Sequence, residues 1–253
     1  MTDNQPHSEW IEFAETLGQL GCDIIGGKPI THTAKGFLEP NVLSIALLSR
    51  ALSNFRGAII LLTNGLVVEA RVLVRSCYEN LFWIGGLIAE GDKFAEKMLH
   101  ADVKSKQTRV EFIFKQGITL SEKVEKKLRA QMHEMKKKSP KPQPLHPQEV
   151  ALGGVLRDGY LIYSQLSAGA AHPSLESLGR HIIRMPNNNE RIIEVVPACK
   201  DVELTQTWDW ACNAVLRICV GVNRMLEGTP AGLRLWEIAD RYEALKKSLA
   251  ASK

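Results

Sequence analysis

No two cysteines in this chain stand at CxxC spacing, and the five present (Cys22, Cys77, Cys199, Cys212 and Cys219) are an odd number. That pattern excludes a disulfide frame and a zinc site built on paired thiolates. Four of the five sit among apolar neighbours, so buried free thiols in a reducing compartment are expected. No P-loop, GxGxxG, HExxH or GxSxG segment occurs, which leaves nucleotide hydrolysis, dinucleotide binding and zinc chemistry without support. Neither a cofactor nor a metal is therefore expected. The opening residues MTDNQPHSEW hold no basic n-region and no apolar h-region. The apolar-rich stretches are broken by Arg50, Arg56, Glu69, Arg71 and Arg75. The expectation is a soluble cytoplasmic protein with no signal peptide, membrane span or membrane partner. A formal charge of +4 is too mild to argue for a polyanionic partner by itself.

What is present is helical pattern. With 253 residues, 45% hydrophobic and 24% charged, the chain can bury a real core. Ser8 can cap a first helix that carries Trp10, Phe13, Leu17 and Leu20 on one stripe. Residues 26–40 read as a loop. A long helix is expected over about 41–63, stopped by Asn64-Gly65, and a second over about 66–90, together an antiparallel helical hairpin. Asp92 starts a fourth helix. Thr119, with Glu122 three residues on, predicts a capping box for a fifth. The segment KKKSPKPQPLHP (136–147) reads as a basic, proline-rich and poorly packed linker. It divides an N-terminal helical part (1–135) from a C-terminal one (148–253), the two forming one folded unit. After a glycine-weakened helix, two short β-branched runs around Pro186-Asn187-Asn188-Asn189 predict a β-hairpin near 181–197. Two final helices are expected at about 201–227 and 230–250, with Gly228 and Pro230 marking the break between them. The fold class is thus mostly all-α: a multi-helix bundle with one small β-hairpin.

Two constellations carry candidate chemistry. In EARVLVRSCYENLFW (69–83), Arg71, Arg75 and Glu79 follow at four-residue spacing and share one face of a helix rich in apolar residues. Charges there need partners, and the plainest reading is an Arg75–Glu79 pair that holds the bundle in register. In YSQLSAGAAHPS (163–174), Tyr163 and Ser167 lie one turn apart, and small residues then lead to His172, which Pro173 restricts to extended backbone. The plainest reading there is a packing notch with a histidine at a helix end. The sharper reading joins both: Arg75, Glu79, Tyr163, Ser167 and His172 form one composite site, with the small residues letting the two helices approach. Elsewhere, Trp208 and Trp210 flank Asp209 as a core or interface pair, and His181 looks exposed. The run EKKLRAQMHEMKKKSPKPQP can touch a phosphate backbone, although such a helix end is ordinarily a solvated face.

These two stretches, with Arg75, Ser76 and Glu79 in one and Tyr163, Leu166, Ser167, His172 and Pro173 in the other, resemble a bacterial family catalogued as domain of unknown function 5677. The likeness covers about residues 41–198. That family is distantly similar to the HEPN group of helical nuclease-type domains in toxin and phage-defence systems. HEPN enzymes cut RNA with an arginine and a histidine separated by about four to six residues on one helix. No such pair occurs here; between Arg129 and His133 there are three residues. The resemblance implies a defence- or toxin-type protein whose composite site acts on RNA or a nucleotide phosphate, with ribonuclease- or phosphodiesterase-like activity. Arg75 would steady the phosphate and His172 would do acid–base work. The alternative is a non-catalytic helical sensor or scaffold, and homo-oligomerisation is compatible with either.

Overall fold

The structure is a computed structural model and describes residues 8–29, 34–154, 156–184, 191–195, 197 and 199–251. The helices in chain order are α1 (Ser8–Gly26), α2 (Pro40–Thr63), α3 (Val67–Glu90), α4 (Asp92–Lys115), α5 (Glu122–Lys138), α6 (Pro147–Gly153), α7 (Arg157–Leu166), α8 (Leu175–Gly179), α9 (Asp201–Met225) and α10 (Leu235–Ala251). A π-helical turn, Ser167–Ala171, prolongs α7, and a 3-10 turn, Pro230–Arg234, precedes α10. Strands β1 (Ile182–Arg184) and β2 (Arg191–Ile193) pair antiparallel, Ile182 opposite Ile193 and Arg184 opposite Arg191. The turn residues Pro186 to Asn189 lie outside the described residues.

The centre of the bundle is the α2–α3 hairpin with α9 laid against both helices, and α1 covers α2 and α9. Pro40 stands in the first turn of α2, where its missing N–H costs nothing. Gly65 ends the helix at φ +75, a conformation that a β-carbon would strain. Among the described residues α2 is the one helix long and apolar enough to cross a membrane. Here its stripe of Leu43, Leu48, Ala51, Phe55, Ala58 and Leu62 is packed inside the protein. Trp10, Phe13, Phe55, Phe82 and Trp208 are all essentially buried, each contributing about 1.5–3 kcal/mol of transfer free energy. Tyr242 ties α10 to α1, stacking on Phe13 and meeting Trp10 edge-on.

Several expectations need correction. Glu122 opens α5 rather than sitting in its third position; Ser121 precedes it, and no side chain caps the helix, so Thr119 forms no capping box. The 136–147 segment is less loose than its composition implies. Lysines 136–138 complete α5, Ser139 is fully buried, and Leu145 packs on the main core as the one large apolar anchor among prolines. His181 is half-buried, its Nδ1 bonded to the Glu194 carbonyl at 2.8 Å. Three cysteines are buried rather than four, since Cys22 is exposed and Cys199 intermediate. Burial pushes the Cys77 and Cys219 thiols up to about 12 and Cys212 well above its ordinary value, so all three stay neutral packing groups.

Candidate functional site

Four of the five sequence-predicted site residues meet. Arg75, midway along α3, projects towards α7. Its Nε–H donates to Ser167 Oγ at 2.8 Å, and its terminal nitrogens donate to Tyr163 Oη at 2.5 Å and Glu79 Oε2 at 3.4 Å. The guanidinium also lies over the Tyr163 ring, 4.5 Å from its centroid. Ser167 can accept from Arg75 because its own hydroxyl hydrogen goes to the Tyr163 carbonyl one turn back, at 2.8 Å. Tyr163 is held in place by Tyr160 stacked on one face and Phe82 against its edge. Burial pushes the Tyr163 phenol up, with Arg75 opposing and Glu79 adding, so it remains a neutral hydroxyl. The weakest member is Glu79, the partner on Arg75's own helix, whose side chain is 39% exposed.

One turn earlier on α3, Arg71 is built into the same device, aimed at α9. Its Nε–H donates to Thr207 Oγ1 at 3.0 Å, while Thr207 gives its hydroxyl hydrogen to the Glu203 carbonyl one turn back at 2.6 Å. The guanidinium lies 5.3 Å from the Trp210 ring centroid and pairs with Glu203 Oε1 at 3.6 Å. Gln206 accepts a further hydrogen bond at 3.3 Å. Glu203 has a second cation, Arg180 of the segment after α8, at 2.7 Å. Burial disfavours the Glu203 carboxylate, but the hydrogen bond and charge of Arg180, joined by Arg71, win and hold it below the usual range. Burial lowers the Arg71 guanidinium, with Glu203 restoring part. Thus hydroxyl, aromatic ring and carboxylate recur around two arginines four residues apart. Sequence reasoning missed the α9 partners, although Glu203, Thr207 and Trp210 follow the three-to-four spacing that exposed the arginines.

His172 is the member left apart. Proline at 173 gives it extended backbone, φ −121 and ψ 146. Its N–H donates to the Ser167 carbonyl at 3.1 Å, and its carbonyl accepts from Ser174 N–H and Ser177 Oγ, both at 2.8 Å. The residue is exposed, and among the described residues no hydrogen bond or ion pair joins its imidazole to Arg75, Glu79, Tyr163 or Ser167. Ser174 and Ser177 form a capping box that starts α8. The small residues bring their π-helical turn against α3, as Ser167 bonded to Arg75 shows. Yet the Gly169 face looks towards α8: a β-carbon there would stand 3.2 Å from Glu176 Oε1. A further close approach to α3 comes at Gly159, where a β-carbon would lie 3.3 Å from Phe82 and 3.5 Å from Tyr78.

A second polar group on α9 has no sequence motif of its own. Asp209, between the buried Trp208 and Trp210, accepts from Tyr242 Oη at 2.5 Å. Burial pushes the Asp209 carboxyl above its ordinary value, the Tyr242 hydrogen bond opposing. Nearby, Tyr78 Oη donates to Asn213 Oδ1 at 3.4 Å. Asn213 and Tyr242 border a mostly apolar cavity of about 870 Å³ that Leu81, Ile84, Leu216 and Val220 also line. Among the described residues, no cluster of three or more His, Cys, Asp or Glu is arranged to hold a metal ion.

The model of a family of unknown function, DUF5677, matches residues 41–191, more than half of the chain, and the chain belongs to that family. No curated protein and no solved structure matches it. The matched region runs from α2 to the start of β2 and contains the whole Arg75 cluster, whereas Glu203, Thr207 and Trp210 lie beyond it.

Proposed function

We propose that this member of the DUF5677 family is a non-catalytic helical sensor or scaffold, in which Arg71 and Arg75 clasp α9 and α7 onto α3. One observation carries this reading: each nitrogen of the Arg75 guanidinium donates to a side chain of the protein itself, with one face on Tyr163. Three of its five N–H groups are occupied in this way, and a phosphate approaching along any of those three would displace a partner, where a buried hydroxyl or charge left unpaired costs about 1–3 kcal/mol. Arg71, with the same construction and only 8% of its side chain exposed, supports the same role for both. Incubating the purified protein with RNA, DNA and nucleotides, with a His172→Ala control, is the test. No turnover above the control is expected.

A second reading keeps the composite site. Arg75 and Glu79 stay partly exposed, 22% and 39%, beside a π-helical turn that ends at the exposed His172. Such turns are frequent at functional sites. In that case Arg75 would steady a phosphate of RNA or another phosphate-bearing ligand, and His172 would exchange the proton, as in a defence- or toxin-type protein. Cleavage that disappears in His172→Ala would install this reading in place of the first.

A further inference from the structure

The positive charge of the chain is segregated. Residues 92–138, the α4–α5 hairpin, hold thirteen Lys and Arg against seven Asp and Glu, a net of +6. The whole chain is +4, so the remaining residues together carry −2. α5 fully buries none of its described side chains and leaves most of them in solvent. Its cations are therefore not needed to hold a core. Between the two helices runs a groove of about 630 Å³. Lys106, Arg109 and Val110 of α4 form one wall, and Lys127, Gln131 and Glu134 of α5 the other. Lys106 is paired with Asp102 at 2.5 Å. Arg109 and Lys127, both exposed, make no ion pair among the described residues, and neither do Lys123 and Lys126 on α5. Gln107 lies three residues before Val110, on the same side of α4. It is 5% exposed, and its amide nitrogen has no hydrogen-bond partner among the described residues. Gln107 does not line the groove, so the contacts to a ligand there come from the exposed cations.

We infer that the α4–α5 groove binds the sugar–phosphate backbone of a nucleic acid, with Arg109 and Lys127 contacting phosphates from opposite walls. Cations on both sides of a concave channel fit a charged strand, whereas a lipid surface is flat. Unpaired cations facing one groove add their attraction for a polyanion. The contacts are to phosphate, so RNA and DNA of equal length should bind alike. This role goes beyond the clasps on α3 and holds whether or not they take part in chemistry.

The test is fluorescence anisotropy of the full chain with labelled single-stranded RNA and DNA of about 20 nucleotides, from about 50 to 200 mM salt. Anionic phosphatidylserine vesicles form the contrasting arm. The double variant Arg109→Glu/Lys127→Glu should weaken binding of both nucleic acids at least about tenfold and lower the salt slope by about 1.4, roughly 0.7 per lost contact. The charge-conserving variant Arg109→Lys/Lys127→Arg should keep the wild-type slope and so guards against misfolding of the first. Circular dichroism and the urea midpoint should not change in either, because both side chains are exposed. Absence of nucleic-acid binding at about 50 mM salt would overturn the assignment. So would an affinity unchanged by the charge reversal, or binding to the vesicles alone.

Discussion

Arg71 and Arg75 are the same side chain, one turn apart on one helix, with the same kinds of partner, yet their surroundings differ. Arg71 is 8% exposed, and its carboxylate, Glu203, comes from α9 and is shared with Arg180. Arg75 is 22% exposed, and its carboxylate, Glu79, comes from its own helix and is itself 39% exposed. In the first cluster the carboxylate binds elements together; in the second that work falls to the neutral groups Tyr163 and Ser167. Charge pairing stabilises a fold most where both partners are fixed and poorly solvated, and little where one of them can turn to water.

The largest effect should come from Arg71→Ala, which leaves Glu203 with Arg180 alone and Thr207 without its donor. A loss of about 3–5 kcal/mol in urea unfolding is expected. A loss under about 1 kcal/mol would make the two clusters equivalent. Next is Glu203→Gln, expected to cost about 2–3 kcal/mol at neutral pH because two cations lose their carboxylate. The pH dependence follows from its lowered value. Glu203 contributes stability above its unfolded value, near the ordinary 4.5, and that contribution is lost as pH falls through the lower folded value. Urea midpoints between about pH 3 and pH 7 should thus fall on acidification in the wild type and flatten in Glu203→Gln.

Asp209 has the opposite sign. Its raised folded value means that it favours folding below the ordinary 3.8 and opposes folding as pH rises through the folded value. Asp209→Asn keeps an acceptor for Tyr242 and removes the charge, so stability at neutral pH should change by less than about 1 kcal/mol, towards a gain. A loss above about 2 kcal/mol would show that the charge itself holds α10. The smallest effect is expected at Glu79. Its bond to Arg75 is long and half in water, and Glu79→Gln should cost no more than about 0.5 kcal/mol by thermal unfolding.

Much of this arrangement can be read from the residues alone, where the signal is local. Arg75 and Glu79 share a face by helical spacing, Tyr163 and Ser167 share another, and two such faces without apolar character tend to find each other. The spacing gives the Arg75–Glu79 pair, but four-residue spacing says nothing about how far solvent reaches it. The partners of Arg71 were out of reach for a different reason: α9 begins at Asp201, so pairing α3 with it requires knowing how distant helices pack. His172 illustrates a third limit. Pro173 fixes the backbone of that residue, and the direction of the imidazole is left to the surroundings.

The most direct measurement is a double-mutant cycle between Arg75→Met and Tyr163→Phe, read by urea unfolding. If Arg75 is a clasp between α3 and α7, each single change destabilises the protein and the two are coupled by about 1 kcal/mol, since either one alone removes their shared bond. A coupling within about 0.3 kcal/mol of zero, with Arg75→Met as stable as the wild type, would contradict the clasp and point to a residue kept for chemistry.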